Sequence, residues 1–180
     1  SPYLIDYLMI DYVYTIGVIE DYSKINIYLS KFSKILPFLS CYYRKLYYVF
    51  LLYYLDNSSE YKEILEVYEK ACAIPCKDSH LNGRILYLGM SIYRSLGSIK
   101  NSKKYYYLAK ENFIKMHNTA MLENLNMKYS ALLRSIGNFN EALENDINIL
   151  TTYQLKKYRL QNVEILYNNI AWTYSLIHDY

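Results

Sequence analysis

A turn recurs about every 40 residues along this chain, and the repeat limits the possible folds more than any other feature of the sequence. It is clearest at Gly137-Asn138, where one amphipathic helical stretch ends and a second begins at Phe139. One such turn in each unit indicates stacked helical hairpins, because a single hairpin cannot bury both of its faces alone. Similar turns are centred on Glu20, Ser59, Gly97 and His178.

Equivalent positions around these turns carry similar side chains. Five residues beyond the turn centre, Ser102 and Ala142 are small enough for close contact between helices. One position departs from the pattern, since Asp146 replaces the tyrosine found earlier at Tyr68 and Tyr106. The residues two positions beyond the turn centre are all large and apolar, namely Tyr22, Tyr61, Ile99, Phe139 and Tyr180.

The spacing of apolar residues predicts the bounds of the helices. Pro37 and Pro75 follow the second helices of the first two units, where proline cannot continue a helix. The stretch 57–59 supplies asparagine and serine side chains that can cap the next helix. First helices are predicted over 4–19, 43–56, 82–96, 120–136 and 160–177, and second helices over 22–36, 60–73, 100–117 and 139–155.

The composition agrees with an all-α chain. Its 180 residues include only 5 glycines and 3 prolines, too few turn-forming residues for a sandwich or barrel of many short strands. The 25 tyrosines indicate a partly aromatic core whose hydroxyl groups reach polar edges. We therefore predict a single helical-repeat domain over residues 1–180. Because the chain starts at Ser1-Pro2 rather than at a methionine, we expect it to be a fragment of a longer protein.

Charge and hydropathy exclude several classes of function. The net charge of +3 is small and the longest basic runs are pairs such as Lys103-Lys104, so we expect no direct contact with nucleic acid. The longest uncharged apolar stretch, 46–55, is too short for a bilayer span, so no membrane partner is expected. No signal-peptide pattern is found. The three cysteines form an odd, sparse set, which favours reduced thiols in the cytoplasm.

The stretch GNFNEA at 137–142 resembles the turn of a tetratricopeptide repeat, in which an aromatic residue follows a glycine and an alanine lies in the second helix. Gly97 with Ile99, Ser102 and Ala109 is similar. The resemblance implies a right-handed superhelical array of TPR-like helical hairpins (an α-α superhelix), about four and a half repeats of roughly 40 residues.

The period near 40 residues exceeds the usual tetratricopeptide period of about 34. In this respect the chain looks like the sensor domains of Gram-positive peptide-pheromone receptors, the Rap/Rgg/PlcR-like group. That resemblance implies a cytoplasmic transcriptional regulator whose repeat domain binds a short signalling peptide in its concave groove. It also implies a helix-turn-helix DNA-binding domain upstream of Ser1 and allows a homodimer.

In tetratricopeptide arrays the first helices line the concave groove. The resemblance therefore implies that residues of this chain at the family's exposed first-helix positions bind the peptide. Asparagine can both donate to and accept from one peptide unit, and arginine or lysine can hold a carboxylate. Tyrosine and tryptophan add flat apolar area. The selected residues are Arg84, Tyr87, Arg94, Asn124, Lys128, Arg134, Asn168, Asn169 and Trp172.

Several of these residues have a purely structural alternative. Arg94 and Arg134 could pair with acidic residues on neighbouring helices. Asn168 and Asn169 could be ordinary surface residues, and Trp172 could fill the core between repeats.

No catalytic or metal-binding motif is found. Cys72 and Cys76 with His80 lack a fourth ligand, so we expect no metal and interpret Cys72 as a core residue of a helix. The three histidines are isolated from any nucleophile, and no phosphate-binding or hydrolase motif occurs. We therefore predict neither an enzyme nor a cofactor. The alternatives to a peptide sensor are a scaffold that binds another protein and, third, a catalytic helical domain built from dispersed residues.

Overall fold

The computed structural model of the chain describes residues 25–55, 61–156 and 163–178. Within these ranges the regular structure is entirely helical, with no strand, which confirms the all-α prediction. None of the described helices is both long and apolar enough to cross a membrane. The helices are α1 (Ile25–Ile35), followed by a 3-10 turn (Leu36–Phe38), α2 (Cys41–Leu55), α3 (Tyr61–Ala73), α4 (Ser79–Ser95), α5 (Ile99–Lys115), α6 (Thr119–Ser135), α7 (Phe139–Lys156) and α8 (Val163–His178).

The described helices lie close to their predicted bounds, with one early start. Helix α4 begins at Ser79 rather than at 82, because Asp78 precedes it and its carboxylate accepts the Leu81 N–H at 2.8 Å. The prolines act as expected, since α1 ends before Pro37 and α3 ends before Pro75. The predicted helix over 4–19, the turns at Glu20 and Ser59, and the caps at 57–59 lie outside the described residues.

Three identical turns separate α4, α5, α6 and α7. Each contains a residue with left-handed backbone, at Gly97 (φ 71°), His117 (φ 52°) and Gly137 (φ 80°), so these residues stand 20 apart. In each turn the left-handed residue donates its N–H to the carbonyl three residues back, and the next residue donates to the carbonyl five back, at 2.8–3.1 Å. This pattern is the Schellman C-cap. The connection between repeats therefore has the same geometry as the turn within a repeat, a symmetry that the prediction of a helix running to 117 missed.

The left-handed positions give a paired stability prediction. A Cβ at Gly137 would meet no atom within 4 Å, so the cost of Gly137→Ala is backbone strain alone, and we expect a loss of about 1 kcal/mol in the free energy of unfolding. His117→Gly should raise it by about 0.5–1 kcal/mol, because glycine adopts this backbone without strain. Urea unfolding of both variants measures the two effects. Changes of the same sign would contradict the shared turn geometry.

The helices group into two compact units, Ser1–Ile85 and Leu86–Tyr180, with the division inside α4. The described part of the first unit has an aromatic core, in which Phe32 and Leu39 pack with Tyr47 and Phe50. Its segment between α3 and α4 is tied to α2 through Lys45, a residue only 5% exposed.

The second unit packs consecutive helices through small residues. Ser102 and Ala142 are fully buried, as the sequence predicted, and the Ser102 hydroxyl donates to the Met90 carbonyl at 2.8 Å. Alternate helices also meet, since Met127 of α6 and Leu166 of α8 share one core cluster with Ile149 of α7. Neighbouring repeats therefore pack against each other in this unit.

The prediction for Cys72 was wrong. Its side chain lies on α3 but is exposed, so it is not part of the helical core. The apolar face of α3 is instead formed by Ile64, Val67, Tyr68 and Ala71, which are buried at helical spacing. Cys72 directly follows Ala71, which places it about 100° around the helix from that buried position.

Candidate functional site

The predicted peptide-binding residues, except for Arg84, lie in the unit Leu86–Tyr180. Arg84 is an exposed residue of the other unit. The remaining residues come from α4, α6 and α8, the first helices of their hairpins, and their exposures differ widely. Asn168 and Trp172 are exposed, Arg94, Asn124, Lys128 and Asn169 are half-buried, and Tyr87 and Arg134 are buried.

Arg134 is held in a buried polar cluster that joins three helices. Its Nη1 donates to Asp146 Oδ2 at 2.7 Å and to the Thr173 hydroxyl oxygen at 3.0 Å. The side chains of Arg134 and Asp146 are 3% and 0% exposed. The Thr173 hydroxyl in turn donates to the Asn169 carbonyl at 2.6 Å. This cluster links α6, α7 and α8, so the acid-paired alternative describes Arg134 better than a role in holding a peptide carboxylate.

Asp146 is the residue that breaks the repeat pattern, and the ion pair explains why it is tolerated. Its equivalent one repeat earlier is Tyr106, which is buried beside α6 and donates its hydroxyl to Asn126 Oδ1 at 3.0 Å. Burial raises the pKa of the Asp146 carboxyl, while hydrogen bonds from Ser130 and Arg134 oppose that rise. The sequence signal that could have predicted this ion pair is an acidic residue at an otherwise apolar repeat position, with an arginine twelve residues earlier on the preceding helix.

Trp172 does not fill the core, which excludes the structural alternative considered for it. Its side chain is 55% exposed, and the Arg134 guanidinium carbon lies 5.6 Å from the centroid of its ring. The buried cation therefore supports the inner part of an otherwise exposed indole. Ile165 and Asn168 precede Trp172 at helical spacing and are also exposed, so they share one stripe of α8 with it.

Lys128 and Tyr87 are brought together, but not as two separate peptide contacts. Lys128 Nζ lies 5.0 Å from the centroid of the Tyr87 ring. The tyrosine ring is buried and the lysine is half-buried, so the pair offers a ligand an ammonium group rather than a bare aromatic surface. The tetratricopeptide resemblance predicted that both residues contact the peptide. In the structure the Tyr87 ring is buried and instead packs against the Lys128 ammonium.

The surface defined by Asn124, Lys128, Ile165, Asn168 and Trp172 is called the α6–α8 surface below. It combines apolar area, amides and one cation. Among the described residues, no three His, Cys, Asp or Glu side chains are grouped in a way that could hold a metal ion. Comparison of the chain with protein-family models, with curated proteins and with solved structures gave no match.

Proposed function

We propose that the unit Leu86–Tyr180 binds a short peptide on the α6–α8 surface, and that the chain is the sensor part of a cytoplasmic transcriptional regulator. The repeats would form the right-handed superhelix of tetratricopeptide arrays. Support for this stacking comes from contacts between residues about one repeat apart, such as Tyr87 with Lys128 and Arg134 with Thr173. The resemblance to peptide-pheromone receptors supplies the class of ligand and the DNA-binding domain upstream of Ser1.

The observation that carries the proposal is the exposed stripe of α8. Ile165 and Trp172 are 51% and 55% exposed, and Asn168 lies between them on the same stripe. An extended peptide needs partners for its backbone N–H and C=O groups, and an asparagine amide supplies both. The two apolar side chains provide area for peptide side chains, while Lys128 on α6 supplies a charge for a carboxylate.

Arg134 has a supporting part in this proposal. Its guanidinium is committed to Asp146 and Thr173, so it fixes the inner face of Trp172 rather than contacting the peptide. A ligand on such a surface changes a regulator only through different affinities for two states of the protein. The polar cluster joins α6, α7 and α8, and it is the element through which a peptide on α8 would act on α6.

The test is calorimetric titration with a panel of short hydrophobic peptides. Trp172→Ala should weaken binding at least about tenfold, because the indole is the largest exposed apolar group of the stripe. A double variant, Lys128→Ala with Asn168→Ala, should weaken it as well. The matched control is Ile114→Ala on α5, which removes a similarly exposed apolar side chain outside the α6–α8 surface.

Unchanged affinity in Trp172→Ala would overturn the proposed surface. Equal weakening by Ile114→Ala would also contradict it, since the contact would then be unspecific. The regulator part has its own test, which is the coding sequence upstream of Ser1. A helix-turn-helix there supports a regulator, and its absence contradicts that part alone.

A scaffold that binds another protein is the second candidate, and one observation favours it. Tyr167 and Tyr174 lie on one exposed stripe of α8, whereas Leu133, the equivalent of Tyr174 on α6, is buried. A helix from another protein could cover this second stripe as the next helix covers α6. Mass spectrometry of material that copurifies with the chain separates the two functions. A stoichiometric protein favours a scaffold, and a low-mass peptide favours a sensor.

A further inference from the structure

A cavity of about 280 Å³ lies between α5, α6 and α7 and takes no part in the proposed peptide surface. Tyr129 of α6 lines it, together with residues of α5 and α7. The period of the helix places Asn124 and Lys128 on the opposite side of α6 from Tyr129 and Asn126. A second cavity of about 230 Å³ continues along α7 and shares Asn145 with the first. The two cavities form a groove, called the α7 groove below.

The floor of the first cavity is aromatic. Tyr106 and Tyr129 are both buried, and their rings are stacked with centroids 3.9 Å apart. Tyr107 stands at the rim with its side chain 58% exposed, and its centroid lies 6.5 Å from that of Tyr129. Burial and the neighbouring Tyr107 hydroxyl raise the pKa of Tyr129, so this phenol stays neutral at physiological pH. The floor is therefore uncharged, and the ring that a ligand can reach is that of Tyr107.

The wall formed by α7 is negatively charged. Glu141 and Glu144 both line the cavity and lie about one turn apart on α7, where like charges repel. Within the described part of the chain, neither carboxylate forms an ion pair, and Glu141 accepts only a long hydrogen bond of 3.4 Å from Asn138. The one lysine of the lining, Lys110, places Nζ 5.5 Å from the Tyr106 centroid instead. The cavity thus carries two carboxylates against one ammonium.

The amide of Asn145 is held in a single orientation between the two cavities. Its Nδ2 donates to the Asn126 carbonyl at 2.9 Å and to the Ser130 hydroxyl oxygen at 2.7 Å. Because a backbone carbonyl can only accept, the nitrogen must point into α6. The Oδ1 atom of Asn145 is therefore the end of the amide that can accept a hydrogen bond from a ligand in the groove.

We propose that the α7 groove binds the guanidinium group of an arginine side chain from a partner polypeptide. A guanidinium is planar and can stack on the exposed ring of Tyr107. Its fork of five N–H donors suits the carboxylates of Glu141 and Glu144 and the Oδ1 atom of Asn145. A lysine ammonium could pair with a carboxylate, but it could neither stack on the tyrosine ring nor form a bidentate contact. Arginine is therefore the expected side chain rather than lysine.

The test uses a synthetic peptide, acetyl-Gly-Arg-Gly-Arg-Gly-amide, titrated into the isotopically labelled chain and followed by NMR. We expect the Asn145 side-chain amide and the Tyr107 backbone signal to shift. The same peptide with citrulline in place of arginine keeps the shape and loses the charge, and it should bind at least about tenfold more weakly. A lysine peptide should fall between the two.

Variants of the groove complete the experiment. Glu141→Gln and Glu144→Gln keep the side-chain shape and should each weaken arginine binding several-fold. The matched control is Glu111→Gln, an exposed acid of α5 that is paired with Lys115 and does not line the cavity, and it should bind as the parent chain does. Equal binding of the citrulline peptide, or equal loss in Glu111→Gln, would overturn the proposal. Shifts confined to the α6–α8 surface would overturn it too, without affecting the proposed peptide site.

Discussion

Replacing Arg134 by leucine should lower the free energy of unfolding by about 3–5 kcal/mol, the largest effect that we expect from a single side chain here. The substitution leaves the Asp146 carboxyl 0% exposed and removes the Arg134 Nη1 donor that lies 2.7 Å from its Oδ2. Asp146→Leu should cost a similar amount, because it leaves the guanidinium buried without its counter-charge. Chemical denaturation of the purified chain measures both losses.

The double variant separates pairing from packing. Arg134→Leu combined with Asp146→Leu should return the stability to within about 1 kcal/mol of the parent or above it, since leucines remove both desolvation costs. The repeat itself supports this expectation, because an uncharged tyrosine, Tyr106, occupies the Asp146 position one repeat earlier. A double loss equal to the sum of the single losses would show that the two residues act independently, contrary to the cluster described above.

Lys45→Ala should lower the free energy of unfolding by about 2–3 kcal/mol. Lys45 Nζ donates to the Ile74 carbonyl at 3.1 Å and to Asn82 Oδ1 at 2.7 Å, and Asn82 donates to the Cys76 carbonyl at 3.1 Å. Removal of the ammonium leaves the Ile74 carbonyl and Asn82 Oδ1, both half-buried, without their donor. Hydrogen bonds from a charged donor are the stronger kind, which is the reason for the size of the loss.

Hydrogen exchange gives this prediction a local measurement. The Cys76 N–H donates to the Ile74 carbonyl at 2.9 Å, and it should exchange faster once Lys45 no longer holds that segment. The matched control is Lys70→Ala on α3, an exposed lysine whose loss should change stability by less than about 0.5 kcal/mol. If Lys45→Ala were as mild as Lys70→Ala, the buried lysine would contribute no net stability.

Much of the architecture could be predicted from interactions between residues that are close in the sequence. Gly97 and Gly137 mark two of the three left-handed turns, because glycine adopts that backbone without strain. The third turn, at His117, was not predicted, because a histidine in a sequence does not indicate a positive φ. The small residues Ser102 and Ala142 were recognisable as close helix contacts from their size alone.

The candidate site was harder to predict. The resemblance to tetratricopeptide repeats predicts which face of a helix a residue occupies, but it does not predict which neighbouring side chains cover that residue. Tyr87 and Arg134 were both assigned to the groove, and both are buried under or beside other side chains. The α7 groove was not predicted, since Tyr107, Tyr129 and Asn145 come from three different helices and form no motif in the sequence.

The sequence by itself determined that the chain is helical, where most of its helices turn, and which side chains are small or apolar at each repeat position. These properties depend on interactions within a few residues, such as backbone strain, capping and amphipathic spacing. Only the tertiary structure decided that Asp146 would be neutralised by Arg134 and that Lys128 would stand over Tyr87. Those outcomes depend on burial, and burial is set by helices that are distant in the sequence but adjacent in the fold.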